Sequence, residues 1–145
     1  MNQNQPPKGF QINTEHYETM HHHVALQLPE EACGLIAGEI DQSSYRALAV
    51  FPTTNVLHST TRFKIDPQEQ LDIFKQIEAE DWELLGIYHS HPNGPDEPSA
   101  TDIAEAYYPE AVNLIWSYRT NYWRMRGFII RDESVHEIPL HLGEF

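Results

Sequence analysis

The segment from Leu84 to Asp102 constrains the fold of this chain more than any other part of the sequence. Its first seven residues, Leu84–Ser90, are mostly apolar and predict a buried strand, which a loop rich in proline and glycine follows over Pro92–Pro98. Ser99 then begins a short predicted helix, because serine is a favoured N-cap residue. The chain must therefore turn back at the end of a strand and place the first turn of a helix beside it.

Two histidines and one carboxylate meet at this turn. His89 and His91 are two residues apart, so in a strand both imidazoles point to the same face. The loop returns Asp102 to face them. Two histidines and a carboxylate leave the fourth place of a tetrahedral Zn²⁺ for water, which is typical of catalytic rather than structural zinc sites. In such a site the pKa of the water falls from about 15.7 to about 7.

Each of these residues also has a simpler structural interpretation. His89 and His91 are compatible with exposed strand positions, and Asp102 with a Ser-x-x-Asp capping box that serves only the helix. Ser99 is compatible with a cap alone, or with a donor to the oxyanion of a tetrahedral intermediate. The residue types leave these alternatives open, although their joint spacing favours a metal site.

A pair of acidic residues precedes the predicted buried strand Ala32–Ile40. A carboxylate from Glu30 or Glu31, across the sheet from the histidine strand, is suited to hold the attacking water and then to protonate a leaving amine. A surface carboxylate at the start of the strand is the alternative for Glu31. Cys33 shares a strand face with Glu31, but its position is more typical of a small buried core residue.

The remaining segments alternate between helical and strand patterns. Helices are predicted from Thr14 to Leu28, with Thr14 as the candidate N-cap, and from Asp66, where Glu69 would complete a capping box. Further strands are predicted at Tyr45–Pro52, Arg62–Ile65, Val112–Tyr118, Tyr122–Arg131, with a bulge at Gly127, and Ser134–Pro139. This order predicts a single α/β domain over residues 10–145, with one mixed sheet flanked by helices, after a flexible tail over residues 1–9.

Length and charge narrow the class of partner. The 145 residues suit one domain, and 22 acidic against 9 basic residues give a formal charge of −13. Such a surface repels phosphate backbones and anionic lipids, so neither a nucleic acid nor a membrane is an expected partner. The single cysteine excludes an internal disulfide, and no signal peptide or apolar span is recognisable. A cytoplasmic location is expected, whereas the oligomeric state is not indicated.

The chain resembles the JAMM, or MPN-plus, zinc metalloproteases in a motif formed by Glu31, His89, His91, Pro92, Ser99 and Asp102. The resemblance favours Glu31 over Glu30, because the glutamate of this family directly precedes an early strand of this kind. It implies a JAMM/MPN-like fold, related to that of cytidine deaminases, and one catalytic Zn²⁺ bound by His89, His91 and Asp102. It also implies that Glu31 moves the proton and that Ser99 stabilises the oxyanion.

The resemblance further implies a substrate class. Members of this family cleave peptide or isopeptide bonds next to ubiquitin or ubiquitin-like proteins, and the compact prokaryotic branch acts on β-grasp sulfur carriers. We therefore expect a carrier protein with a C-terminal Gly-Gly tail as the partner. The alternative is a non-catalytic MPN-type interaction module that binds zinc. A zinc nucleoside deaminase is disfavoured, because it requires His-x-Glu and Pro-Cys-x-x-Cys whereas this chain has His91 and one cysteine.

Overall fold

Eight strands form one mixed sheet, and three helices accompany it, in the computed structural model, which describes residues 5–144. The strands are β1 (Gly9–Ile12), β2 (Cys33–Asp41), β3 (Ser44–Thr53), β4 (Glu83–His91), β5 (Val112–Arg119), β6 (Tyr122–Arg131), β7 (Ser134–Ile138) and β8 (Leu140–Leu142). The helices are α1 (Thr14–Leu26), α2 (Pro67–Ala79) and α3 (Ala100–Ala104). The predicted α/β fold with one mixed sheet is confirmed.

The histidine strand β4 lies in the interior of the sheet, whose order is β7-β6-β5-β4-β2-β3-β1-β8. It pairs antiparallel with β2, where Cys33 lies opposite His89, and parallel with β5, where Ile115 lies opposite His89. Main-chain hydrogen bonds on both sides therefore fix the end of β4.

The sheet curls so strongly that its two edges almost meet. The edge strands β7 and β8 are separated by Pro139 alone, whose carbonyl accepts a 3.0 Å hydrogen bond from the Phe10 N–H. The predicted bulge at Gly127 is wrong, because Gly127 pairs with Leu114 in an unbroken register. A Cβ at Gly127 would approach Leu140 Cδ2 to 3.0 Å, so close packing inside the curl explains this glycine.

Helices cover both faces of the sheet. Met20 and Val24 of α1 enter a buried cluster with Tyr88 and Trp116. On the other face, α2 contributes to a cluster that includes Cys33, Leu35, Ala37, Ile65, Ile73 and Ile77. The histidine strand therefore runs between two cores, which accounts for its burial. Within residues 5–144, no helix has the length and apolar content that crossing a membrane requires.

Several local predictions need correction. The N-cap of α1 is Asn13 rather than Thr14, and Asn13 accepts from the His16 N–H. Glu69 does not close a capping box, because the Asp66 N–H already donates to the Thr54 carbonyl and the Glu69 carboxylate accepts from Thr54.

One further strand prediction and the predicted tail differ from the structure, and two observed strands have no predicted counterpart. The strand expected over Arg62–Ile65 is wrong, since that segment forms only an isolated bridge between Asn55 and Ile65. The strands β1 and β8 were not predicted. The tail expected over residues 1–9 falls partly outside the described residues, and within them Gly9 already belongs to β1.

Candidate metal centre

His89 and His91 form the buried end of β4. They expose 1% and 6% of their surface, and their side chains leave the strand on the same face because they are two residues apart. Their Nε2 atoms are 3.1 Å apart. The strand thus brings two ring nitrogens together at one point.

Asp102 completes a triangle with the two histidines. Its Oδ2 atom lies 3.1 Å from His89 Nε2 and 3.1 Å from His91 Nε2. The three atoms are therefore almost equidistant. The predicted meeting of His89, His91 and Asp102 is thus present in the structure.

The same Asp102 oxygen also serves the cap of α3. Ser99 N donates to Asp102 Oδ2 over 2.9 Å, and Asp102 N donates to Ser99 Oγ over 3.0 Å, which makes a reciprocal capping box. The same carboxylate therefore caps α3 and lies beside both histidines, so the cap does not exclude a metal-binding role for Asp102. The Ser99 hydroxyl uses its oxygen as the cap acceptor, which leaves its proton available for donation.

The loop before α3 determines which nitrogen of His91 carries a proton. His91 Nδ1 lies 2.7 Å from the carbonyl oxygen of Pro95, which can only accept, so Nδ1 carries a proton. Nε2 is left to face Asp102, as a donor when the ring is doubly protonated or with its lone pair directed at a bound metal ion. His89 is oriented differently. The ring of Phe63 stacks on it at 4.6 Å, and His89 Nδ1 is buried without a hydrogen-bond partner in the described part of the chain.

The spacing of the triangle fits a divalent ion. A tetrahedral ion with ligands at about 2.0–2.1 Å holds the ligand atoms about 3.3–3.4 Å apart, close to the observed 3.1 Å. His91 Nε2 and Asp102 Oδ2 direct lone pairs toward the same buried point. Such convergence is unfavourable without a cation or a proton between the atoms, so this group of residues can hold a metal ion.

Burial and the neighbouring charged groups shift the pKa values of Asp102 and His91 in opposite directions. Burial on its own would raise the pKa of Asp102, but hydrogen bonds from His89 and His91 outweigh it and hold that pKa well below its usual range. For His91, burial lowers the pKa, whereas the contacts with Asp102 and Pro95 raise it and prevail. Asp102 is therefore a carboxylate at neutral pH, as a metal ligand must be.

Glu31 is the second carboxylate at the centre. It is 4% exposed, and one of its oxygens and a ring nitrogen from each of His89 and His91 all lie within 4.8 Å of one another. Its main chain is fixed by hydrogen bonds with Ser59 and Asn55. Burial raises the pKa of Glu31 to about 7.

The adjacent Glu30 is directed away from the centre. Its carboxylate contacts His58 Nδ1 at 3.1 Å, and its side chain is 34% exposed. Two neighbouring glutamates thus have different surroundings, and only Glu31 faces the histidines. Glu31, His89 and His91 also form a group that could hold a metal, so two carboxylates are available as the third ligand.

A cleft of about 510 Å³ opens beside the centre, and His89 and Asp102 form part of its wall. Other residues lining it include Leu57, Arg62, Phe63, Tyr107, Tyr108 and Asn113. No sequence motif marks these residues, because they come from segments distant in the chain. Phe63 and the Pro95 carbonyl likewise carry no local signal that would predict their contacts with the histidines.

Comparisons with known proteins agree with this geometry. The profile of Prok-JAB, described as prokaryotic homologs of the JAB domain, matches residues 13–126. The CysO-cysteine peptidase of Mycobacterium tuberculosis (strain ATCC 25618 / H37Rv) is 34% identical over 123 residues, which cover 84% of this chain and 83% of that protein. A desampylase of Haloferax volcanii is 38% identical over 90 residues, which cover 61% of this chain and 63% of that protein.

A solved structure shares the fold. The solution structure of a protein from Desulfitobacterium hafniense superposes with a TM-score of 0.85 at 34% identity, and the match covers 94% of each chain. The profile match spans most of the chain and includes both histidines, the aspartate and Glu31. This chain therefore belongs to the Prok-JAB family, the stand-alone prokaryotic relatives of the JAMM metalloproteases.

Proposed function

We propose that this protein is a zinc metallopeptidase that hydrolyses a peptide or isopeptide bond at the C-terminal tail of a ubiquitin-like sulfur-carrier protein. The observation that carries the proposal is the 3.1 Å triangle of His89 Nε2, His91 Nε2 and Asp102 Oδ2. Its atoms are spaced as the ligands of one ion, and three protein ligands leave a coordination place for water. The names of the two relatives, a peptidase and a desampylase, support the same reaction class.

His89, His91 and Asp102 would hold the zinc ion. Asp102 is preferred to Glu31 as the third ligand, because its Oδ2 is 3.1 Å from both Nε2 atoms. A bound Zn²⁺ would act as a Lewis acid and lower the pKa of a coordinated water to about 7. The Pro95 carbonyl keeps the proton of His91 on Nδ1 and so keeps Nε2 free to bind.

Glu31 and Ser99 are assigned to proton transfer and charge stabilisation. The Glu31 carboxylate lies beside the histidines and accepts a proton from the attacking water, then delivers it to the nitrogen of the leaving amine. The Ser99 hydroxyl has its proton free to donate to the oxygen of the tetrahedral intermediate. Burial of both histidines and of Glu31 excludes bulk water from the proton-transfer path.

The cleft beside the centre suits an extended peptide. His89 and Asp102 form part of its wall, so a chain lying in the cleft reaches the reacting atoms. A Gly-Gly tail has no side chains, so it can lie with its main chain close to the reacting atoms, and we expect a tail of that kind in the substrate. The carrier itself is expected to be a small β-grasp protein.

The test uses a candidate carrier extended beyond its Gly-Gly tail by a short peptide. We expect the zinc-loaded protein to remove the extension, which mass spectrometry of the carrier before and after incubation detects. Glu31→Gln should retain zinc but lose about 10²- to 10⁴-fold in kcat, because it removes the proton carrier and keeps the shape. Zinc content is measured by elemental analysis on the same samples.

Glu30→Gln is the matched control. It makes the same chemical change one residue away, on a side chain that contacts His58 instead of the centre, and should leave kcat unchanged. Full hydrolysis by Glu31→Gln would remove Glu31 from the mechanism. Stoichiometric zinc without hydrolysis of any carrier tested would favour a zinc-binding interaction module over a peptidase.

A further inference from the structure

The loop over Pro92–Pro98 joins β4 to α3 and shapes both sides of the centre. Its Pro95 carbonyl oxygen lies 2.7 Å from His91 Nδ1. Its end leads into Ser99, whose N–H donates to Asp102 Oδ2 over 2.9 Å. A displacement of this loop would therefore move one histidine and the aspartate together.

The main chain of the loop contributes little to its own position. Three of its seven residues are prolines, which have no N–H to donate. Among the described residues, the only backbone–backbone hydrogen bond that ties its interior runs from Gly94 N to His91 O, over 3.0 Å. Side-chain contacts must therefore hold the loop in place.

Asp96 provides such a contact. Its side chain is 17% exposed, and its Oδ1 lies 3.1 Å from Arg126 Nη1, which also reaches the Asp96 backbone oxygen at 3.4 Å. Arg124 contacts Asp96 Oδ2 at 3.2 Å as well, but its side chain is 61% exposed whereas that of Arg126 is 20% exposed. Since exposed ion pairs contribute little, Arg126 is the stronger of the two contacts.

Arg126 is itself held from the other side. Its Nε and Nη2 atoms donate to the two Glu137 oxygens over 2.9 and 2.8 Å, a bidentate pair, and its guanidinium lies 5.0 Å from the centre of the Phe128 ring. In the sheet, Arg126 lies opposite Ile115, which in turn lies opposite His89. Residues directly opposite point to the same face, so Arg126 is placed on the face of the centre.

We propose that Arg126 is a positioning residue for the metal centre: held by Glu137, it fixes Asp96 and thereby the loop that orients His91 and Asp102. The inference rests on the proposed function, because it treats these residues as zinc ligands. Arg126 acts through the loop: its contacts are with Asp96, Glu137 and Phe128 and not with the proposed ligands.

The test compares Asp96→Ala and Arg126→Ala with the wild-type chain. Zinc dissociation constants are measured by competition with a chromophoric chelator. We expect both variants to bind zinc about 10- to 100-fold more weakly, the usual effect of removing a group that orients a ligand. With saturating zinc, kcat for the extended carrier should fall while KM stays near its wild-type value.

Comparing Asp96→Ala with two further variants separates positioning from general stability. Asp96→Ala leaves the pair between Arg126 and Glu137 intact, so it removes the loop anchor without disturbing the contact of β6 with β7. Arg124→Ala removes only the exposed contact to Asp96 and should change zinc affinity less than threefold. The double variant of Asp96 and Arg126 should bind zinc no more weakly than the worse single variant, because both remove the same anchor.

Zinc affinity within threefold of wild type in Asp96→Ala, or additive losses in the double variant, would overturn the proposal. If either result is obtained while the wild-type chain hydrolyses the extended carrier, the positioning role is lost but the proposed function stands. Weakened zinc binding in both variants, together with a wild-type chain that hydrolyses no carrier, supports the anchor and contradicts the peptidase.

Discussion

The candidate metal centre has a strand-borne half and a helix-borne half, and different interactions hold each of them. His89 and His91 lie in β4, which is paired on both sides by β2 and β5. Asp102 lies in α3, a helix of five residues none of which is buried, and Ser99 is its N-cap. The helix is reached through a loop with little backbone hydrogen bonding. A strand paired on both sides unfolds only when the sheet unfolds, whereas a short exposed helix can unfold locally. The geometry of the centre therefore depends most on its helix-borne half.

The largest effect is expected from removing the proposed ligand on the helix side. Asp102→Ala should abolish stoichiometric zinc, a greater loss than the roughly 10- to 100-fold caused by changing an orienting group. His89→Ala, from the strand side, should do the same. Elemental analysis after dialysis measures both. If Asp102→Ala retained zinc while His89→Ala lost it, Asp102 would serve only the cap, and Glu31 would be the third ligand.

The next effect separates the two roles of Ser99. Ser99→Ala removes both the hydroxyl and the cap, whereas Ser99→Gly removes the hydroxyl but costs the cap only a few tenths of a kcal/mol. We expect both variants to lose about 10²- to 10³-fold in kcat, because both lack the oxyanion donor. Thermal unfolding should detect a loss of about 1 kcal/mol for Ser99→Ala alone. A near-normal kcat for Ser99→Gly would restrict Ser99 to the cap.

Glu31 precedes β2, the neighbour of the histidine strand, and its burial can be tested without any metal. Burial raises the folded-state pKa of Glu31 from 4.5 to about 7, so the folded chain retains its proton over this range while the unfolded chain releases it. The resulting stability is fully present below pH 4.5 and is lost as the pH rises through 7.

The difference between the folded and unfolded pKa values of Glu31 corresponds to about 3 kcal/mol of stability. Glu31→Gln cannot titrate, so in chelator-treated samples its free energy of unfolding relative to wild type should rise by about that amount between pH 4 and pH 8. Urea unfolding at the two values measures it, with Glu30→Gln as the control. A constant difference between wild type and Glu31→Gln would contradict the raised pKa.

The smallest expected effect is a local loosening when zinc is removed. Amide hydrogen exchange at Ile103 and Glu105, whose N–H groups donate to Ser99 and Thr101 within α3, should be about tenfold faster in chelator-treated protein than in zinc-loaded protein. Amides of β4 should exchange at nearly equal rates in the chelator-treated and the zinc-loaded protein. Equal acceleration in β4 would show that the two halves open together and would contradict the comparison.

Much of the strand-borne half was predictable from sequence. The two-residue spacing of His89 and His91 fixes their common face in any strand, and an apolar run before them predicts that strand. Ser99 was predicted as the start of a helix, and the structure confirms it as the N-cap of α3. These features follow from backbone geometry over a few residues, so they do not depend on the rest of the chain.

Other features had no local signal. The strands β1 and β8 have four and three residues and gain stability only from partners far along the chain, so no periodicity marks them. Glu69 occupies a capping-box position, but Thr54 offers nearby donors that the local pattern does not reveal. Local propensity is overridden where a distant group supplies a better partner.

The candidate ligand types, their spacing along the chain and the α/β class could be read from the sequence. Only the folded chain reveals that one Asp102 oxygen both caps α3 and faces the histidines, that the Pro95 carbonyl accepts from His91 Nδ1, and that Arg126 contacts Asp96 in the loop. The physical reason is distance along the chain. Periodicity and caps arise from neighbouring residues, whereas these contacts exist only after the curled sheet has brought distant segments together.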